Sequence, residues 1–116
     1  MSDPHRLSDQ ALESINASER IGIAAISCWE MCMLVAKKRI ELNCEVVLWM
    51  ENALAEPRVN LLPLTPSIAA ASTQLGDHMH ADPADRLIVS TALAHHAELV
   101  TKDQAIRDAD VIATIW

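Results

Sequence analysis

A chain of 116 residues has the length of one domain, and an apolar fraction of 51% with 22% charged residues excludes a disordered protein. Nine Lys and Arg against 16 Asp and Glu give a net charge of -7, which opposes nucleic-acid binding unless cations or a local basic patch reverse the sign. Three Trp with no Phe or Tyr exclude an aromatic surface for stacking single-stranded bases. We therefore expect one domain with an aliphatic core over residues 1–116.

The sequence indicates a cytoplasmic protein. No apolar run is long enough to span a bilayer or to serve as a secretion signal. Three cysteines are an odd number that suits a reducing compartment. Cys28 and Cys32 lie one helical turn apart, but no second pair of ligands has zinc-site spacing, so we interpret both as small core residues.

The first half of the chain predicts three helices and one strand. Ser8 begins an amphipathic helix that ends near Asn16. Residues 21–26 form a continuous apolar run, which is typical of a strand covered by helices on both faces. Ser27 then begins a helix to about residue 39, and another helix covers residues 44–55 with Val47 facing inward.

The second half predicts three strands and two longer helices. Residues 59–62 form a short strand, and Thr65 with Pro66 begins a helix to about residue 75. Asp82 begins the next helix, which ends near residue 96. Residues 98–101 and 111–115 read as two more strands. Short apolar strands alternating with helices predict an α/β domain with a mostly parallel sheet.

Several acids lie at helix starts, where capping alone can explain them. Ser27 and Glu30 have the spacing of a capping box, in which each side chain bonds the other residue's backbone amide. Asp82 with Asp85 resembles the same device with a proline at the first helical position. Asp103 could cap a short turn that follows it.

Considered together, the acids favour a shared site. Glu30 and Asp103 each follow the carboxyl end of a predicted parallel strand, which is the edge where open α/β sheets bind ligands. If the helix beginning at Asp82 starts there too, Glu30, Asp85 and Asp103 converge. Crowded carboxylates must take up protons or bind a cation. Mg²⁺ or Mn²⁺ is the cation that prefers such ligands and also accepts phosphate oxygens.

Five stretches span nearly the whole chain in a recognisable order and spacing. They are Ile26-Ser27-Cys28-Trp29-Glu30-Met31, Leu62-Pro63-Leu64-Thr65-Pro66, Asp82-Pro83-Ala84-Asp85-Arg86-Leu87-Ile88-Val89, Leu99-Val100-Thr101-Lys102-Asp103 and Ile115-Trp116. No stretch is specific alone, but together they resemble the PIN domain, the fold of VapC-like ribonuclease toxins from bacterial toxin–antitoxin pairs.

The resemblance implies a three-layer α/β/α fold and an endoribonuclease that depends on Mg²⁺ or Mn²⁺. It also implies a homodimer, an RNA substrate and a cognate antitoxin protein as partners. By motif position, Glu30, Asp85 and Asp103 match the family's metal-binding acids. Thr101 matches a hydroxyl position beside the metal. Asp82 belongs to the same signature, and we give it more weight as a helix cap than as a ligand.

The chain departs from the family pattern at its start. Family members begin with an apolar strand that carries the first acid, whereas this sequence begins at the segment after it. That strand, roughly ten residues with its turn, would lie at the centre of the sheet, between residues 21–26 and 98–101. Without it those two strands must pair directly, leave backbone groups unpaired or recruit a strand from elsewhere.

Two explanations of this departure remain open. Met1 is an internal methionine mistaken for the start, or the gene is truncated and its product weakly stable. As drawn, the chain lacks one catalytic Asp and should be impaired as a ribonuclease. The alternative is an inactive PIN-like module that binds an antitoxin or dimerises.

The remaining polar residues carry weaker signals. We interpret His78, His80 and two further histidines as structural or surface residues. The basic run at Lys37 and Lys38 ends a helix, where cations are favoured in any case. Those two lysines, with Arg58 and Arg86, are the candidates for an RNA-binding track.

Overall fold

The computed structural model describes residues 7–80 and 82–116. Helices and short strands alternate along this part of the chain, which confirms the predicted α/β class. In chain order the elements are α1 (Asp9–Ala17), β1 (Ile21–Ala24), α2 (Ala25–Ala36), α3 (Val46–Leu54), β2 (Val59–Leu62), α4 (Pro66–Ser72), α5 (Pro83–Ala94), β3 (Leu99–Val100), α6 (Gln104–Ala109) and β4 (Thr114–Ile115).

The strands pair in parallel, as predicted, but they form two separate sheets within the described residues. One sheet pairs β1 with β2, from Ile21 opposite Val59 to Ala24 opposite Leu62. The other pairs β3 with β4, and Leu99 lies opposite Thr114. No strand in this part of the chain joins β1 to β3.

A cavity of about 700 Å³ lies where the sequence analysis expected a missing central strand. The backbones of β1 and β3 both line it, and so do side chains of α1, α5 and α6. Within the described residues, β1 and β3 do not pair with each other. Their facing edges therefore correspond to the predicted outcome in which backbone groups stay unpaired.

Side-chain caps that the sequence predicted are present at the starts of four helices. The Ser8 hydroxyl accepts a hydrogen bond from the Ala11 amide at 3.0 Å. Thr65, Asp82 and Asp103 cap α4, α5 and α6 in the same way, each accepting from the amide three residues ahead. Because these bonds are local, the sequence alone located them.

The predicted capping box at Ser27 is wrong. Helix α2 begins at Ala25 directly after β1, and its N-cap, Ala24, makes no side-chain hydrogen bond. The chain passes from strand to helix without the turn that a Ser27 cap requires, so Ser27 lies inside the first turn. Glu30 lies one turn further on and is not occupied by capping.

A cluster of buried residues lies in the second half of the chain. Met79, Val89, Ala92, Ile106 and Ile112 form one cluster of buried residues. By contrast, α2 and α3 bury no residue completely. The expectation that Val47 faces inward is wrong, since it is 47% exposed. No helix among the described residues combines the length and apolar character needed to cross a membrane.

Candidate functional site

Four of the five residues of the predicted site line one cavity. Glu30, Asp85, Thr101 and Asp103 all face the space between the two sheets. Glu30 is carried by α2 after β1, and Thr101 and Asp103 follow β3, so three of the four lie beyond the carboxyl ends of these strands. Parallel strands thus bring residues distant in sequence to one edge.

The surroundings of Glu30 change the titration of its carboxyl group. Its carboxyl group is half-buried, and burial raises its pKa above the ordinary value of 4.5. The negative charges of Asp85 and then Asp82 raise this pKa further. Asp85 and Asp82 are therefore close enough to Glu30 for their charges to repel its carboxylate.

Asp85 has a partner that the sequence analysis missed. Its Oδ2 atom lies 2.6 Å from Nε2 of His80, and both side chains are partly buried. The other ring nitrogen, Nδ1, is buried and makes no hydrogen bond within the described structure. His80, interpreted from sequence as structural or surface, thus contacts a site acid. The available signal was its position five residues before Asp85, just ahead of the start of α5.

Asp82 and Asp103 act as helix caps and lie near the same edge. Asp82 Oδ1 accepts from the Asp85 amide at 3.1 Å, which holds the first turn of α5. Asp103 Oδ1 accepts from the Ile106 amide at 3.0 Å. The Thr101 hydroxyl accepts from the Asp103 amide at 3.1 Å and so fixes the turn that carries Asp103.

Two of the candidate RNA-binding cations are used inside the fold. Arg86 donates to the backbone oxygens of Ser72, Gly76, Met79 and His80 at 2.9 to 3.1 Å. Arg58 donates to carbonyl groups at the end of α1, including that of Ser18 at 3.0 Å. Both guanidinium groups therefore hold loops and helix ends together, and their role here is structural.

The chemistry of these acids suits a hard divalent cation better than their spacing does. Carboxylate oxygens are the ligands that Mg²⁺ and Mn²⁺ prefer, and a cation would relieve the repulsion between Glu30 and Asp85. Among the described residues, no three His, Cys, Asp or Glu side chains lie close enough to share one ion. An ion at this edge would therefore rely on one or two carboxylates and several waters, as Mg²⁺ commonly does.

Comparison with known proteins identifies the family. The PIN domain model matches residues 1–112. The chain belongs to the PIN domain family. This PIN domain is 41% identical over 105 residues to Ribonuclease VapC22 of Mycobacterium tuberculosis (strain ATCC 25618 / H37Rv), a match that covers 90% of this chain and 79% of the relative. The VapC-like resemblance read from the sequence motifs is confirmed.

A solved structure supports the fold of this PIN domain. The crystal structure of VapBC2 from Rickettsia felis bound to a DNA fragment from their promoter contains a chain that matches with a TM-score of 0.64. The identity is 18%, and the match covers 89% of this chain and 79% of the other. At that identity the likeness concerns the fold alone.

Proposed function

We propose that this PIN domain is a toxin-type endoribonuclease that depends on Mg²⁺ or Mn²⁺ and uses Glu30, Asp85 and Asp103 as its acids. The observation that carries the proposal is that acids from α2, α5 and the turn after β3 all line one cavity. The relative named as a ribonuclease, 41% identical, supports the same activity.

The side chains have distinct parts in this proposal. Glu30 and Asp85 would hold the ion, because a cation between them would relieve the repulsion that Asp85 exerts on the Glu30 carboxylate. His80 fixes the orientation of Asp85 through its contact with Oδ2. Thr101 and the α6 cap hold Asp103 in place. A bound Mg²⁺ or Mn²⁺ supplies the means to polarise a phosphoryl oxygen and to lower the pKa of an attacking water.

A bound cation would also reduce the repulsion between this acidic protein and RNA. A protein of net charge -7 repels RNA, whereas an acidic cavity loaded with divalent ions attracts phosphate locally. Arg58 and Arg86 are used inside the fold, so neither guanidinium group is assigned a phosphate contact, and a bound divalent ion would supply positive charge in the cavity.

We further propose a cognate antitoxin as the protein partner of this chain in the cytoplasm. Membership of the PIN family and the 41% identity to a VapC-type ribonuclease support this pairing. Exposed apolar side chains on α2 and α3 offer a surface for it, since Trp29 is 52% exposed and Leu48 is 48% exposed. A homodimer remains a prediction from the family resemblance.

The decisive experiment replaces Asp85 with Asn in a chain extended at its start by an apolar strand carrying an Asp. The extended chain should cleave RNA with Mg²⁺, and Asp85→Asn should abolish the cleavage, because the amide keeps the shape but loses the charge that binds the ion. Asp9→Asn, which removes a charge outside the cavity, is the matched control and should cleave normally. Undiminished cleavage by Asp85→Asn would contradict the proposal.

A second candidate function is an inactive module that only binds its partner. It is favoured by the finding that no three potential ligands in the described structure lie close enough to share an ion. Mn²⁺ titration of the chain as given separates the two candidates. Saturable binding that Asp85→Asn removes supports a residual active site. No binding, together with association with the antitoxin, supports the module.

A further inference from the structure

The contact between His80 and Asp85 lies at the edge of the candidate site. Nε2 of His80 is 2.6 Å from Oδ2 of Asp85, and the exposed fractions of the two side chains are 30% and 20%. Asp85 lines the cavity, whereas His80 does not. The imidazole therefore contacts the carboxylate from outside the cavity and leaves the inner side of Asp85 uncovered.

The structure holds Asp85 both at its backbone and at one carboxylate oxygen. Asp82 Oδ1 accepts a hydrogen bond from the Asp85 amide at 3.1 Å, and His80 contacts Oδ2. In a complete capping box, the side chain of Asp85 would return to the Asp82 amide. Within the described residues that return bond is not made. The Asp85 carboxylate therefore turns toward His80 and is not used as a helix cap.

Arg86 fixes the backbone that carries His80. Its Nε donates to the His80 carbonyl at 3.0 Å, and its Nη2 donates to the Met79 carbonyl at 2.9 Å. Met79 itself is 1% exposed and belongs to the buried cluster. Because the backbone at His80 is already fixed, the imidazole loses little further freedom when it contacts Asp85. The contact is therefore built into the fold.

The surroundings of the imidazole indicate how its two nitrogens are used. A carboxylate oxygen accepts hydrogen bonds, so Nε2 of His80 is the donor to Asp85 Oδ2. Nδ1 is buried and has no hydrogen-bond partner in the described structure. A proton on Nδ1 would be a buried donor without an acceptor, which is unfavourable. The arrangement therefore favours an uncharged ring whose proton is on Nε2.

We propose that His80 is a positioning residue for metal binding: its Nε2–H group donates to Oδ2 of Asp85 and leaves Oδ1 available to the ion. This inference rests on the proposed function, because it concerns how Asp85 binds Mg²⁺ or Mn²⁺. An uncharged donor orients the carboxylate and preserves its negative charge, whereas an imidazolium at the same place would repel the ion. Loss of such a partner typically lowers metal affinity by about 10- to 100-fold.

Mn²⁺ titration of the full chain, measured by calorimetry, tests the proposal. His80→Ala removes the donor, so the affinity for Mn²⁺ should fall about tenfold or more. His80→Gln places an amide N–H group near the position of Nε2, so it should restore the affinity to within about threefold of the unchanged chain. His78→Ala removes an exposed histidine of the same loop and is the matched control, which should bind Mn²⁺ normally.

A measurement without metal checks the contact itself. Long-range proton–nitrogen correlation spectra of the isotope-labelled chain near pH 7 show which imidazole nitrogen carries a proton. For His80 the proton should be on Nε2 alone. Protons on both nitrogens would show an ion pair with Asp85, and a proton on Nδ1 alone would show that Nε2 is not the donor. Either result would overturn the proposal.

The titration distinguishes failure of this inference from failure of the proposed function. Equal or higher Mn²⁺ affinity in His80→Ala would overturn the positioning role and leave the metal-dependent function intact. No Mn²⁺ binding by the unchanged chain would refute both, even if the spectra place the His80 proton on Nε2. If His80→Ala does not fold by circular dichroism, His80→Asn takes its place, because its shorter amide does not reach Oδ2 and should lower the affinity equally.

Discussion

At the scale of single residues, several side chains of the candidate site also have a structural role. Asp82 and Asp103 each use one oxygen to cap a helix, and Thr101 holds the turn beside Asp103. Glu30 differs, because the helix start at Ala25 leaves it without a capping role. Its carboxyl group is half-buried near two other acids and caps no helix. This position favours its interpretation as a candidate metal ligand.

The raised pKa of Glu30 predicts a pH-dependent cost. Because burial and the charges of Asp85 and Asp82 raise its pKa in the folded state, the folded chain holds this proton more tightly than the unfolded chain. Stability must then fall as pH rises from the ordinary value of 4.5 through the raised one. We expect Glu30→Gln to raise the melting temperature at pH 7 and to lose that advantage near pH 4.

The control for this measurement is Glu13→Gln, which removes one negative charge from the exposed face of α1. Thermal melting followed by circular dichroism at both pH values, without divalent ions, checks the expectation. If Glu30→Gln melts below the unchanged chain at pH 7, the carboxylate stabilises the fold and our account of its environment is wrong.

At the scale of helices and strands, Asp82 permits a separation of capping from metal binding. Asn caps helices about as well as Asp, whereas Ala loses the hydrogen bond to the Asp85 amide. We expect Asp82→Ala to lower the free energy of unfolding by about 1 kcal/mol and Asp82→Asn to change it by only a few tenths. Urea unfolding measures both. An equal loss in the two variants would mean that the charge, not the cap, holds the start of α5.

The elements that sequence predicted well are those with local signals. Ser8, Thr65 and Asp82 each cap a helix, and the proline after two of them fixes the same start. Helix ends were less predictable. Helix α2 ends at Ala36, about three residues early, and Lys38 then adopts a left-handed φ of 58°. No glycine marks that end, so the sequence contained no sign of it.

The site was predictable in outline and not in its contacts. Strand order brings Glu30 and Asp103 to one edge, and motif spacing adds Asp85. The contact between His80 and Asp85 depends on the path of residues 72–80, which Arg86 holds through tertiary hydrogen bonds. Such bonds join residues up to 14 positions apart and leave no periodic pattern in the sequence.

At the scale of the whole molecule, burial is uneven. Helix α5 contains four buried residues, whereas α3 contains none, and the core cluster lies between residues 79 and 112. The half built around β1, α2 and α3 therefore has less buried apolar surface to stabilise it. The cavity between the sheets also separates the two halves, because the two sheets share no backbone pairing in the described structure.

This asymmetry predicts unequal local opening. Helical amides of α5 should exchange with solvent at least about tenfold more slowly than those of α3, because opening α3 exposes little buried surface. Hydrogen exchange read by mass spectrometry checks the ratio, with α6 as an internal reference since it buries Ile106. Equal protection of α3 and α5 would show that the two halves unfold as one cooperative unit.

The Arg86 contacts have a consequence for how this protein can diverge. All four oxygens that the guanidinium group binds belong to the backbone, so the loop from Ser72 to His80 is held without regard to most of its side chains. Within this loop, backbone conformation constrains Gly76, with a φ of 93°, and burial constrains Ser72, Leu75 and Met79. The contact with Asp85 constrains His80. Substitutions at the other positions of this loop can therefore leave its path unchanged, provided that Arg86 is retained.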